Sequence, residues 1–338
     1  MENKVNVAII GVGRIGQVHL RHLATEERVD IKYLVDIAQT HDDIRRLVNK
    51  YRLKDVQILV PEEVHSVIND KTISAVFICT HVDAKADIIM KCLVSGKHVF
   101  CEKPMSLKPT TVEECYDMAK KTSTILQCGF DKRFDVSVRS MYDQIKRGDI
   151  GKLRMIKLTA REMPALVTSK DYILSSGGLF IDSKVHEFDL LCWFAGESPC
   201  EIFAFGHAQN PIFSECGDID SASVILKFSS GLMGFVESFR GVNYGYDQRT
   251  DGLLVVENPR TTLTEKWDDR GQTRDTVWQE GISRYHDAYR NEVAHFIDAV
   301  QGRCQCSVSG EVVLLAHKLA VCAKESYVTG KAVTVTPS

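Results

Sequence analysis

The chain is predicted to join an α/β domain built on a parallel sheet to an α+β domain with a large, open, mainly antiparallel sheet. Three observations predict this. Over residues 1–125, apolar strand patterns alternate with amphipathic helical ones, as in a parallel sheet covered by helices on both faces. Over residues 126–338, strand patterns follow one another across tight turns such as Ser229-Ser230-Gly231, which indicates antiparallel pairing. A chain of 338 residues also exceeds what one ordinary core serves, so the expected domains are 1–125 and 126–338.

The elements follow in order. VNVAIIG at 5–11 reads as a buried strand, RIGQVHLRHLA as a helix and IKYLVD at 31–36 as a second strand; THDDIRRLVNKY then reads as a helix that Thr40 would cap. ISAVFICT, HVFCE and TILQCGF are further short strands, separated by helical patterns at 83–96 and 110–122, and Gly96 and Gly148 stand where helices should end. A helix is expected over 136–147. It is followed by strand patterns LRMIKLTARE, EIFAFGHAQ, SASVILKFSS, GLMGFVESF and 253–256. Two closing helical segments end at Gly302 and Gly330 and are expected to pack back towards the first domain.

Composition narrows the function classes. With 44% hydrophobic and 26% charged residues the chain is globular, and a net charge of −3 spread along it gives no basic footprint for nucleic acid or an anionic membrane. No run of 18 apolar residues occurs, and MENKVNVAIIG leads straight into a strand; a cytoplasmic protein is expected. The eleven cysteines, among them Cys79, Cys101, Cys128, Cys192 and Cys322, lack zinc-site or disulfide-framework spacing and read as reduced thiols. Cys304 and Cys306 form a CxC in a loop.

Gly11-Val12-Gly13-Arg14-Ile15-Gly16 is a GxGxxG that follows a strand and opens a helix, the context in which it binds a dinucleotide. Twenty residues on, Asp36 ends the second strand. A carboxylate there accepts hydrogen bonds from ribose hydroxyls and repels a 2′-phosphate, so NAD is favoured over NADP. In HVFCEKPMS, Glu102 and Lys103 follow a strand at the carboxyl edge of the sheet, and Lys103-Pro104 is a candidate cis bond. Lys103 is either an amine directed into the ligand cleft or a surface lysine snorkelling from a turn.

In GGLFIDSKVHEFDLLCWF, residues 177–194, an α-helix would set Asp182, His186 and Asp189 on one side. Asp182 could then orient His186 as a base; the alternative is a core histidine with two acids that satisfy buried groups. With NAD present, His186 would remove a hydroxyl proton while Lys103 supports the oxygen. No metal is required, and no third ligand accompanies the histidine and acid.

These stretches resemble the Gfo/Idh/MocA oxidoreductase family: GVGRIG at 11–16, EKP at 102–104, GFDKRFD at 129–135, GG-x3-D-x3-H-x2-D at 177–189, YGYDQR at 244–249 and the helix from 284. GGLFIDSKVHEFD and YGYDQR are most similar to its inositol dehydrogenase branch. The resemblance implies a Rossmann domain, homo-oligomers (dimer or tetramer) formed through the second sheet, and oxidation of myo-inositol to 2-keto-myo-inositol. Related sugar or trans-dihydrodiol dehydrogenases and a silent NAD-binding sensor are the alternatives. Lys103, Asp182 and His186 would be catalytic. Gly11, Gly13, Arg14, Ile15, Gly16, Asp36, Thr80, Glu102 and Lys103 would hold the cofactor. Substrate would meet Lys103, Arg133, Asp182, His186, Asp189 and Tyr246, with Tyr244 a rival for the tyrosine. The chain departs from the family at THVDAK (80–85), where TP-x3-H is usual, at Asp131 in place of a frequent asparagine, and at Lys184 in place of an apolar residue.

Overall fold

The computed structural model describes residues 4–162, 169–241, 249–258, 261–267 and 285–336. The chain divides into two units, Met1–Asp131 with Tyr289–Gly310, and Lys132–Ala288 with Glu311–Ser338.

The first unit is laid down by strand and helix alternation: β1 Val5–Ile10, α1 Arg14–Thr25, β2 Val29–Val35, α2 His41–Lys50, β3 Gln57–Leu59, α3 Val64–Asn69, β4 Ala75–Ile78, α4 Val82–Val94, β5 His98–Cys101, α5 Pro109–Thr122 and β6 Leu126–Cys128. Its six strands are parallel in the order β3-β2-β1-β4-β5-β6. The order reverses between β1 and β4, and a crevice for a ligand opens outside the carboxyl ends of such strands. Continuous apolar runs make this possible, because both faces are covered: Val7, Ile9, Ala75, Phe77 and Phe100 are all fully buried. Thr40 does not cap α2 as expected. Residues 38–40 form a tight turn running directly into the helix, so Thr40 (φ −95°, ψ −4°) lacks the extended conformation a cap needs, and its hydroxyl donates to the Ile37 carbonyl.

The second unit begins with α6 Val136–Arg147, whose first N–H groups are accepted by Asp135, and continues through β7 Lys152–Glu162, α7 Lys170–Ser176, α8 Val185–Ala195, β8 Pro199–His207, α9 Pro211–Glu215, β9 Ser221–Phe228, β10 Met233–Arg240, β11 Arg249–Asn258 and β12 Thr261–Trp267. The segment α10 His286–Val300 follows; its Val293, Phe296 and Ile297 belong to the first unit's core, where the Phe296 ring meets Phe77 and Phe100 edge-on. The last helix, α11 Gly310–Thr329, and β13 Val333–Thr334 complete the chain. Sheet order in this unit is β12-β11-β7-β10-β9-β8-β13, antiparallel throughout except for the β7–β10 pair.

One face of this sheet is the core and the other is open. Ile156, Leu158, Val224, Leu226 and Val236 point inward and are buried, whereas Phe205, Ile225 and Met233 on the outer face are exposed. The helix α8 packs on β10 so closely that a Cβ at Gly234 would lie 2.7 Å from Leu191. That contact sets the height at which the polar residues of α8 stand above the sheet.

Candidate active site

In the first unit the glycine turn is built by close approach. A Cβ at Gly16 would sit 2.0 Å from the Gly11 carbonyl oxygen, and one at Gly11, whose φ is +91°, would meet the backbone of Cys79 and Thr80 within 2.8 Å. Gly13 differs, because nothing lies within 4 Å of its Cβ position, and both Gly13 and Arg14 are exposed. No side chain caps α1 and no acidic residue stands in its first turn. Its N–H groups therefore face open space, the provision a pyrophosphate needs. Asp36 lies at the lip: one carboxylate oxygen accepts the Val12 N–H at 2.6 Å and the other the Ile37 N–H at 2.7 Å. This arrangement fits NAD: Gly11, Gly13, Arg14, Ile15 and Gly16 could hold its phosphates and Asp36 its ribose. Half-buried Thr80 lies just beyond the end of β4.

Glu102 turns inward. It is 6% exposed, one oxygen lies 2.7 Å from His19 Nε2, and the other accepts the Lys103 N–H at 3.2 Å. Burial opposes its charge, but His19, Lys85 and Lys103 outweigh burial and hold the carboxyl below its ordinary value. Lys103 is half-buried and its bond to Pro104 is cis.

In the second unit, residues 177–194 are not the single α-helix the spacing suggested. Leu179–Ser183 form a π-helical turn, closed by the Lys184 N–H on the Leu179 carbonyl, before α8 starts at Val185. Asp182 and His186 thus belong to different helical registers, and three- and four-residue spacing no longer fixes one common face. The turn is bought by Gly178: its φ is +81°, and a Cβ there would meet Asp218 at 2.6 Å, the carboxylate that accepts the Leu179 N–H.

Asp182 and His186 are both buried, 7% and 6% exposed. Asp182 accepts the Tyr172 hydroxyl at 3.0 Å and Arg240 at 3.2 Å. Arg240 also reaches Glu162 at 3.2 Å and Asp218 at 3.5 Å. Burial works against its charge, but these carboxylates prevail and raise the guanidinium above its ordinary value. Lys184, fully buried, bridges Glu162 at 3.2 Å and Glu187 at 3.5 Å, and Glu187 takes Lys132 at 2.5 Å. Asp189 is held by Arg133 through two bonds of 2.6 Å. That pair lines a cavity of about 270 Å³ with Tyr142 and Trp193; Asp182 and His186 are not among its lining residues. Tyr246 and its rival Tyr244 lie outside the described residues.

Sequence reading missed Tyr172, Arg240, Glu162, Lys132 and Glu187. Only Arg240 gave a signal, as a charge at the end of a strand pattern. Among the described residues no group of three or more His, Cys, Asp or Glu side chains could hold a metal, no helix is long and apolar enough to cross a membrane, and the cysteines form no disulfide.

Residues 5–130 match the profile of an oxidoreductase family with an NAD-binding Rossmann fold, and residues 138–251 match the Gfo/Idh/MocA C-terminal domain. Over 329 residues the chain is 32% identical to the myo-inositol 2-dehydrogenase of Thermotoga maritima, covering 95% of this chain and 96% of that one. The chain belongs to the Gfo/Idh/MocA family. It is also 32% identical over 337 residues to the inositol 2-dehydrogenase of Rhizobium meliloti, covering 98% and 99% of the two. Among solved structures, the myo-inositol dehydrogenase of Corynebacterium glutamicum matches with a TM-score of 0.83 at 25% identity, over 99% of this chain and 100% of that one. The scyllo-inositol dehydrogenase of Lactobacillus casei with bound NAD(H) and scyllo-inositol shares the fold, with a TM-score of 0.84 at 21% identity over 98% and 99% of the chains. The protein is an oxidoreductase with an NAD-binding Rossmann domain.

Burial would raise the Glu187 carboxyl, but Lys132 and Lys184 override it and hold the group at about 2, below its ordinary 4.5. A depressed folded value stabilises the protein fully above about pH 4.5, and that stabilisation is lost as pH falls towards about 2. Glu187→Gln is expected to lower the free energy of urea unfolding at neutral pH by about 3 kcal/mol. The gap from wild type should narrow as pH drops below about 4.5.

Proposed function

We propose that the protein is an NAD-dependent dehydrogenase of cyclic polyols that oxidises a ring secondary alcohol to a ketone, with myo-inositol and 2-keto-myo-inositol as the substrate pair. The observation that carries this reading is end-to-end identity of 32% to two inositol 2-dehydrogenases. It is joined in this chain to a lysine at the sheet edge and a buried histidine four residues from a buried carboxylate. A neutral substrate suits the site, because Arg133 and Arg240 are already neutralised by buried carboxylates.

Bound NAD supplies the acceptor for the hydride that leaves the carbinol carbon. His186 takes the hydroxyl proton, since an imidazole titrates near neutrality and a carboxylate is too acidic for the task. Asp182, held by Tyr172 and Arg240, stabilises and orients the imidazole. Lys103 supports the oxygen as it turns from alcohol to carbonyl. Arg133, Asp189 and Tyr246 complete the polyol contacts in this reading. Cysteines that form no disulfide suit a reducing cytosol.

A second copy of the chain is assigned to the outer face of the seven-stranded sheet. There Phe205 stands 63% exposed beside Phe203, and a groove of about 860 Å³ runs past His207, Glu237 and Phe239.

Purified protein given NAD and a panel of inositols and aldoses should form reduced cofactor with myo-inositol and should prefer NAD to NADP; silence across the panel would leave a binding protein in place of the enzyme. His186→Ala should reduce kcat on the order of 10²-fold while NAD affinity holds. Phe205→Glu is expected to shift the assembly to monomer in light scattering behind size exclusion, and an unchanged mass would refute the assigned face.

A further inference from the structure

The lysine at the THVDAK departure occupies an unusual place. Lys85 lies on the stripe of α4 that faces the sheet, with Val82, Ile89, Cys92 and Leu93, and is only 3% exposed. Its ammonium carries three N–H donors and no acceptor. Three backbone carbonyls surround it: Glu102 at 2.7 Å, Pro104 at 3.0 Å and Lys103 at 3.3 Å. All belong to the turn that presents the Lys103 amine.

Three successive carbonyl oxygens directed at one point repel one another unless a cation or a set of donors sits there. Lys85 supplies both in one group. On the other side of the turn the Glu102 carboxylate accepts the Lys103 N–H and is itself fixed by His19. A Cβ at residue 129 would press on Glu102 at 3.1 Å, so the glycine there leaves the carboxylate its place. The backbone of residues 102–104 is therefore clamped by an ammonium on its carbonyls and a carboxylate on an N–H.

We infer that Lys85 is a positioning residue for the dehydrogenase reaction: by binding the carbonyls of Glu102, Lys103 and Pro104 it fixes the turn from which Lys103 meets the substrate oxygen. The inference rests on the reading of Lys103 given above. A displacement of about 1 Å at a reacting group is enough to cost on the order of 10²-fold in rate. Loss of the clamp should thus fall mainly on turnover, because the dinucleotide turn at Gly11–Gly16 and Asp36 are not held by Lys85.

The test uses the full-length enzyme with NAD and myo-inositol. Lys85→Met keeps the apolar stem and removes the donors; kcat should fall roughly 10- to 100-fold, with the NAD dissociation constant, read by fluorescence titration, changing by a clearly smaller factor than kcat. Lys85→Ala should regain turnover saturably with added ethylammonium and gain nothing from tetraethylammonium, which has no N–H. Wild-type kcat in Lys85→Met overturns the inference, as does a loss matched by lost NAD affinity or a Lys85→Ala enzyme indifferent to ethylammonium. Lys103→Met is assayed alongside: activity surviving there removes the reading of Lys103 itself, whereas an inactive Lys103→Met beside an unimpaired Lys85→Met removes only the role of Lys85.

Discussion

The polar interior of the second unit depends on one guanidinium. Arg240 ends β10 on the inward face, 3% exposed, and three carboxylates from separate parts of the chain converge on it: Glu162 from β7, Asp182 from the π-helical turn and Asp218 from the loop before β9. Carboxylates brought out of water together repel one another and favour protonation unless a cation stands among them. Arg240 stands among all three. Glu162 then passes the arrangement on to Lys184, and through Glu187 to Lys132, so that signs alternate along a buried chain. Breaking one link leaves its neighbour charged and unpaired, which makes the set cooperative.

This network explains why a π turn stands where the sequence spacing suggested α-helix. Asp182 must reach Arg240 and Tyr172, while Asp189, seven residues on, must reach Arg133. An unbroken α-helix would have set the two acids two turns apart along one side. The extra residue in the turn rotates what precedes it, and the two glycines before it, both at positive φ, absorb the change of direction.

What the sequence disclosed follows from the range of the forces involved. The Rossmann unit was legible because its signals are local: a strand, a glycine turn and a helix in one run from Val5 to Thr25, and an acid at the next strand end. The seven-stranded sheet was legible as strand patterns, but the phase of β10 was not. GFVESFR alternates Phe235, Glu237 and Phe239 against Val236, Ser238 and Arg240, and hydrophobicity alone would send the phenylalanines inward. The structure buries Val236, Ser238 and Arg240, because Arg240 has three acids to meet there. Those partners stand 22, 58 and 78 residues away, and no spacing rule spans such gaps. Lys184 and Lys85 were visible only as departures; their partners, too, are set by tertiary packing.

Lys184 and Lys85, two of the buried lysines, solve the same problem by different means, and the difference bears on how each part of the site responds to pH. Lys184 is neutralised by carboxylates, which lose their charge in acid and then leave it unpaired. Lys85 is solvated by backbone carbonyls, which do not titrate at all. The turn that carries Lys103 is thus fixed by contacts whose partners are indifferent to pH. The surroundings of Asp182, by contrast, rest on a chain of buried ion pairs, in which Glu187 is held at about 2 by Lys132 and Lys184. Proton transfer in the proposed reaction takes place at His186, among groups whose charges respond to one another; the oxygen it leaves behind is received by a lysine whose backbone support stays constant while those charges change.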